Sequence, residues 1–323
     1  MKTEFIVHVP SRWLKNPQKK EETFVSFQER YNDLSELEEL RVKFPDYSVA
    51  SVVGWLSENI GRAWLYCREQ LTFNYLFYLN QLRLAWFQYT MNDSHPVTLN
   101  LVNRIISTTG KFENHRISAS DVTEGIETAL ILRDENALAY LATIPVSFTE
   151  QSSQDDLILE IIMTFYQMLA KGKGNSNEAQ ATYHAISEQL DWETYKRYIK
   201  VEGFNQLWVW ERIFTARKEY VEAISLPVIT IYHQIFQASQ AGFEDAVRLA
   251  LHQWKTYYTR IRIDENQEEE DRTLWGQGFL SLPITAACAF GYERGLTLSS
   301  LESDYIPQWL IEGHFNGIDL LVK

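Results

Sequence analysis

Apolar residues in this chain recur mainly at steps of three and four, the period of an amphipathic helix. Between Ser48 and Tyr89 the positions Ile60, Trp64, Cys67, Leu71, Tyr75, Tyr78 and Leu82 form one continuous face, which predicts one long helix or two joined ones. Its opposite side carries Tyr66, Phe73 and Phe77, so this element is expected to be buried on more than one side and to be central. Upstream, residues 4–9 read as a short strand or extended arm, and residues 21–42 as a helix closed off by Pro45. Downstream, residues 91–96 read as a loop. Leu99, Leu101, Val102 and Ile105 then read as the inner side of a further helix, and residues 108–118 as a polar loop. Ser120 and Asp121 mark another helix start, with Glu124 adding negative charge in the first turn. Ile126, Ala129, Leu130 and Ile131 continue that helix to a break near Arg133–Asn136, after which a second short helix runs to Pro145.

The same period continues through Ile158, Ile161, Ile162, Phe165 and Leu169. The stretch KGKGNSNE at 171–178 is a Gly/Asn/Ser loop and the best internal linker. Helices are expected at 178–189, 191–200 and 203–219, and a new one starts at Leu226–Pro227, since proline is tolerated in a first turn. Gly242 separates that helix from the next, which carries Phe243, Val247, Ala250, Leu251, Trp254 and Tyr258. Leu282–Pro283 opens the last strong helix, Gly295 suits its C′ position, and a tail with a turn at Pro307 follows. No stretch shows sustained alternation of period two. The fold class expected is therefore all-α, a multi-helix bundle or short array of antiparallel helix pairs with strand content near zero. No 34- or 40-residue repeat argues for a solenoid. The organisation reads as an N-terminal helical region, residues 1–110, and a second helical region, residues 111–323, or as one continuous domain.

Composition adds to the picture. The 323 residues are 45% hydrophobic and 23% charged, enough for a sizeable core. With 10 Trp, 17 Tyr and 17 Phe, the aromatic content fits either a thick core or an exposed patch for a partner. Lys and Arg number 30 against 43 Asp and Glu, a net charge of −13. Such a surface repels nucleic acid and anionic membranes and favours encounter with a basic partner. The two cysteines, Cys67 and Cys288, form no CxxC and read as core residues of a protein in a reducing compartment. The N-terminal run MKTEFIVHVPSRWLK is broken by His8 and Pro10 and lacks a signal-peptide h-region. The hydrophobic stretch Leu65–Phe87 carries Arg68, Glu69, Asn74, Asn80, Gln81 and Arg83, which makes a poor membrane span. A cytoplasmic location is expected.

Catalytic signatures are missing at the local level: there is no GxGxxG, GxxxxGK[ST], GxSxG or HExxH. None of the seven histidines lies four residues from another, so no helix presents a His–His metal edge. His252, beside Trp254, reads as a surface or hydrogen-bonded core residue. Glu160, Glu188 and Glu202 are scattered, and no ExxH pattern accompanies them. Arg62 and Arg68 near Cys67 could lower its pKa, but the thiol sits on an apolar face. No catalytic, cofactor or metal site is expected. Two features could carry binding instead. One is the acidic run Asp264, Glu265, Glu268, Glu269, Glu270 and Asp271, which could meet the Lys and Arg of a partner or be a solvated connector. The other is the aromatic set Trp275, Phe279, Tyr292, Tyr305 and Trp309, whose plainer reading is core packing.

Trp275–Gly313 resembles the closing signature of the immunity 49 family, helical proteins of bacterial polymorphic-toxin systems. The carrying residues are the helix start Leu282–Pro283, the Ala-rich Ala286–Ala289, the aromatic–x–Arg–Gly step Tyr292–Gly295 and the segment Ser303–Pro307. Phe243–Tyr258 and Asp121–Pro145 resemble preceding elements of that family. These motifs are helix starts, caps and turns, so they report fold, and no functional residue is carried over from them. The resemblance implies an immunity protein that binds a cognate toxin stoichiometrically and occludes its active site; a basic nuclease or deaminase would suit an acidic inhibitor. Two other readings stand beside it. A helical scaffold for a regulatory partner predicts a long concave groove. An enzyme with a dispersed site predicts a deep polar pocket holding two titratable groups of shifted pKa.

Overall fold

The periodic segments are realised as helices, and the departures from expectation have local causes. The structure, a computed structural model, describes residues 2–10, 49–67, 69–101, 104–111, 117–150, 157–198, 207–263 and 269–315. The helix expected at 21–42 lies outside them. A strand, β1 (Thr3–Phe5), is followed by α1 (Val49–Cys67) and α2 (Glu69–Met91), the two joined helices of the long apolar segment. α2 folds back on α1: Arg83 Nη2 donates to Ser57 Oγ at 3.0 Å, and the Trp55 and Tyr75 rings lie 5.7 Å apart.

The next segment corrects the sequence reading. In place of a helix stand β2 (Pro96–Leu101) and β3 (Arg104–Thr109), paired antiparallel from Pro96 opposite Thr109 to Leu101 opposite Arg104. Val97, Leu99 and Leu101 alternate with Thr98 and Asn100, a short run of period two. Leu99 is buried, but Ile105, expected on the inner side, is 74% exposed.

α3 (Ala119–Leu132) is capped by Ser118, two residues before the expected start. Asp121 N donates to Ser118 Oγ at 3.2 Å, and Ser118 N donates to Asp121 Oδ2 at 2.9 Å, a reciprocal capping box. Arg133 ends the helix in the left-handed region at φ 58°, and Asp134 caps α4 (Glu135–Leu141), as the helix–turn–helix pattern predicts. α5 (Val146–Glu150), α6 (Leu157–Ala170), α7 (Asn177–Gln189) and α8 (Trp192–Tyr195) follow. α6 and α7 pack on one another, so the glycine-containing segment between them joins neighbouring helices.

α9 (Leu207–Tyr220) continues through a π-helical turn, Val221–Ser225, into α10 (Leu226–Phe236). Leu226–Pro227 is therefore an interior position and not a helix start. Proline has no N–H to donate and its ring clashes with the carbonyl four residues back. The wider π turn accommodates it, and the Leu226 N–H bonds to the carbonyl of Val221, five residues earlier. α11 (Gln240–Tyr258) starts at the Ser239 cap, so Gly242 lies in its first turn and not between helices. β4 (Ile261–Ile263) pairs antiparallel with β5 (Glu269–Asp271), which holds the last three residues of the acidic run. Two 3-10 turns, Arg272–Leu274 and Gly276–Phe279, lead into α12 (Leu282–Tyr292). Gly295, at φ 82°, takes the left-handed conformation that closes this helix. β6 (Leu301–Ser303) pairs in parallel with β1, and α13 (Gln308–Glu312) follows.

One apolar core runs from Val7 to Ile311. α3 lies at its centre, packed by α2, α4, α6 and α12 and buried on most of its faces. α1 meets the second 3-10 turn backbone to backbone. A Cβ added at Gly61 would collide with the carbonyl oxygen of Gly276, and one at Gly276 with that of Glu58. Among the described residues no helix is long and apolar enough to cross a membrane.

Candidate functional site: a carboxylate-bearing cavity

Because α3 is surrounded, polar residues on it are forced into contact with other helices. Glu124 and Glu127 are three residues apart and share a face. That face lines a cavity of about 350 Å³. α1 contributes Ser57, α6 contributes Tyr166, and the π turn contributes Ile224 and Ser225 with Tyr220 just before it. Trp254, Tyr257 and Tyr258 of α11 and Trp275 and Gln277 of the 3-10 turns form an aromatic side. The Gly61–Gly276 contact brings those last two residues up to α1.

Arg83 reaches this face from α2. It is 1% exposed, and its Nη2 pairs with Glu124 Oε2 at 2.7 Å. Nη2 also donates to Ser57 Oγ at 3.0 Å, and Nη1 donates to Thr128 Oγ1 at 3.4 Å. Gly125, between the two carboxylates, leaves room for the arginine stem: a Cβ there would stand 3.2 Å from Arg83 Cδ. Glu124 keeps 45% of its side-chain surface, which opens onto the cavity. Enclosure by protein raises its carboxyl above the usual range, while Arg83 pulls it down. Glu127 is only 6% exposed. Desolvation raises its carboxyl to about 8, against the downward pull of the Tyr166 hydroxyl, with the Glu124 charge adding to the rise. Burial and Glu127 together push the Tyr166 hydroxyl well up. At neutral pH the Glu127 carboxyl keeps its proton, and Glu124 stands in contact with the Arg83 guanidinium. Two carboxyls raised by desolvation in one partly open pocket can hold a proton, hydrogen-bond a polar ligand or neutralise a cation.

Neither glutamate emerges as a site residue from sequence, where Glu124 appears only as a first-turn charge. The visible signal is a Glu–x–x–Glu pair whose second member is flanked by Ile126, Ala129 and Leu130 on a helix with no clear polar face. The acidic run is placed elsewhere. Asp264, Glu265 and Glu268 lie outside the described residues, as does the Glu269 side chain. Glu270 accepts from Arg272 Nε at 2.8 Å, and Asp271 caps the first 3-10 turn by accepting from Thr273 N at 3.0 Å. Arg272 also pairs with Glu219 at 3.2 Å and lies 4.0 Å over the Tyr257 ring and 5.3 Å over Trp275. The hairpin thus leans on two rings of the cavity rim.

Of the aromatic C-terminal set, Phe279 and Tyr305 are fully buried and Trp275 is 38% exposed, so core packing accounts for most of it. His252 is exposed on α11. Cys288 is a buried core residue whose thiol is pushed up by desolvation, and the Cys67 side chain falls outside the described set. Among the described residues no cluster of three or more His, Cys, Asp or Glu could hold a metal ion.

The family model of Immunity protein 49 matches residues 76–310, most of the chain. The chain belongs to the immunity protein 49 family. No curated protein and no solved structure matches it. The matched span of this immunity protein includes Arg83, Glu124, Glu127, the π turn and the acidic hairpin. It excludes Ser57, Gly61 and the N-terminal arm.

Proposed function

We propose that the protein neutralises a cognate toxin domain by direct stoichiometric binding that occludes the toxin's active site. The observation that carries this reading is membership of an immunity family over residues 76–310. The net charge of −13 supports a basic partner, such as a nuclease or deaminase, because opposite fields accelerate encounter. Asp264, Glu265, Glu268 and Glu269 are the proposed contacts of the hairpin; Glu270 and Asp271 already serve Arg272 and Thr273 within the fold. The test is co-expression with the toxin domain encoded beside this protein, scored by survival and by complex mass from light scattering. Survival with a stable complex is expected. Changing Asp264, Glu265 and Glu268 to their amides should slow association at low salt and leave the folded protein intact.

The cavity favours one second reading, an enzyme that reverses or pre-empts the toxin's damage. Its requirement, a polar pocket with two titratable groups of shifted pKa, is met by Glu124 and Glu127. Survival without a complex, lost in Glu127→Gln, would select it. Survival that tracks the complex and is unaffected by Glu127→Gln would dismiss it.

A further inference from the structure

We propose that the cavity beneath α3 is a binding site for an organic cation, a guanidinium or alkylammonium group on a short stem, seated between Glu127, Glu124 and the aromatic wall. The proposal rests on shape, on charge and on the rings, and is independent of the immunity reading.

A volume of about 350 Å³ lies at the lower end of the range for small-molecule pockets, and the cavity is partly open. Two acids, Glu124 and Glu127, line it together with Arg217, and Arg83 stands behind Glu124. Arg83 engages Glu124, Ser57 and Thr128 through its two terminal nitrogens, and Glu124 is also within hydrogen-bonding reach of the Ser57 hydroxyl. Glu127 is different. It is more than nine-tenths buried and borders the cavity, with the Tyr166 hydroxyl as a hydrogen-bonding neighbour. A carboxyl so enclosed reaches electrical neutrality by holding a proton or by facing a cation. A cation that enters exchanges places with that proton.

The opposite side suits the same chemistry. Tyr220, Tyr257, Trp254 and Trp275 border the cavity, and ring faces attract guanidinium and ammonium groups. Two of these rings already carry one from within the fold, since Arg272 lies over Tyr257 and Trp275. Arg217 also borders the cavity, and its charge is felt at Tyr257 on the rim.

The test uses the full chain and titration calorimetry with butylguanidinium and butylammonium, and with butylurea as the neutral isostere. The cations should bind at least tenfold more tightly than butylurea. At pH 7, repeating the titration in buffers of different ionisation enthalpy should show release of close to one proton per site. Glu127→Gln, the isosteric change, should abolish the proton release and weaken cation binding at least tenfold. Equal binding of butylurea, or cation binding with no proton release, would overturn the proposal. If Glu127→Gln does not fold, the buffer series and the neutral isostere still decide the matter on the unaltered protein. Adding butylguanidinium to a toxin complex separates the sources: displacement identifies an Arg or Lys of the toxin as the natural cation, and a complex that persists with the probe bound identifies a free molecule.

Discussion

Glu127 and Glu244 are both buried glutamates, and their surroundings drive them in opposite directions. Desolvation raises Glu127 from 4.5 to about 8. A group with a raised folded value contributes stability that is complete below its unfolded value and is lost as pH rises through the folded one. The melting temperature should therefore fall between about pH 4.5 and pH 8 through this residue, and Glu127→Gln should flatten that slope in calorimetric scans. Glu244 is desolvated too, but hydroxyl and backbone donors from Ser300 and Ser299 outweigh this and hold it at about 2. Ser299 N and Oγ reach Glu244 Oε1 at 2.6 and 2.7 Å. Here the sign reverses: the contribution is present above about pH 4.5 and disappears as pH falls toward 2. Glu244→Gln should remove that acid-side dependence. At neutral pH it should cost about 2 kcal/mol, the scale of a hydrogen bond to a charged group, measurable by urea denaturation. Neither residue declares its role in sequence, because the partners that set it are distant: Tyr166 and Arg83 for one, Ser299 and Ser300 for the other. Glu124 reads as a helix-start charge for the same reason, and only the packing of α3 turns it toward a cavity.

Among the elements, long helices with a repeating apolar face are legible in sequence: α1 with α2, α3 with α4, α6, α11 and α12. The β2–β3 hairpin is not, since a six-residue strand offers too few alternations to displace a three-and-four spacing that also fits its leucines. The π turn is misread because Leu–Pro marks a helix start more often than the inside of a helix. Its presence matters, since it sets Tyr220, Ile224 and Ser225 against the cavity. The contact of α1 with the Gly276–Phe279 turn depends on the absence of two side chains. Gly61→Ala forces apart backbone atoms that cannot yield as a flexible side chain would, so a loss of about 3 kcal/mol or more is expected from chemical denaturation. Arg133 plays the opposite part, a long side chain that joins elements. It donates to the carbonyls of Leu310 and Ile311 at 2.8 and 2.5 Å and pairs with Glu293 at 3.1 Å. Arg133→Ala leaves the end of α13 without those donors and should lower stability by about 2 kcal/mol, with faster amide exchange at residues 310–313.

For the whole molecule, composition and the C-terminal motifs indicate the class correctly, and the family match over residues 76–310 bears them out. What the molecule encloses is lined by α1, α3, α6, α9, the π turn, α10, α11 and the segment that leads into α12, and no local motif can announce a site shared among so many segments. The same dispersal separates two uses of acid. The acidic run of residues 264–271 holds its carboxylates close together in sequence, whereas Glu124 and Glu127 border an enclosed space. The opening strand belongs to this scale as well. β1 lies parallel to β6, and the His8 N–H donates to the Tyr305 hydroxyl at 3.1 Å, a contact spanning 297 positions. During synthesis the first ten residues leave the ribosome long before their partners exist. β1 has no strand to pair with until residues 301–303 have been made, and a chain released before residue 303 never provides them.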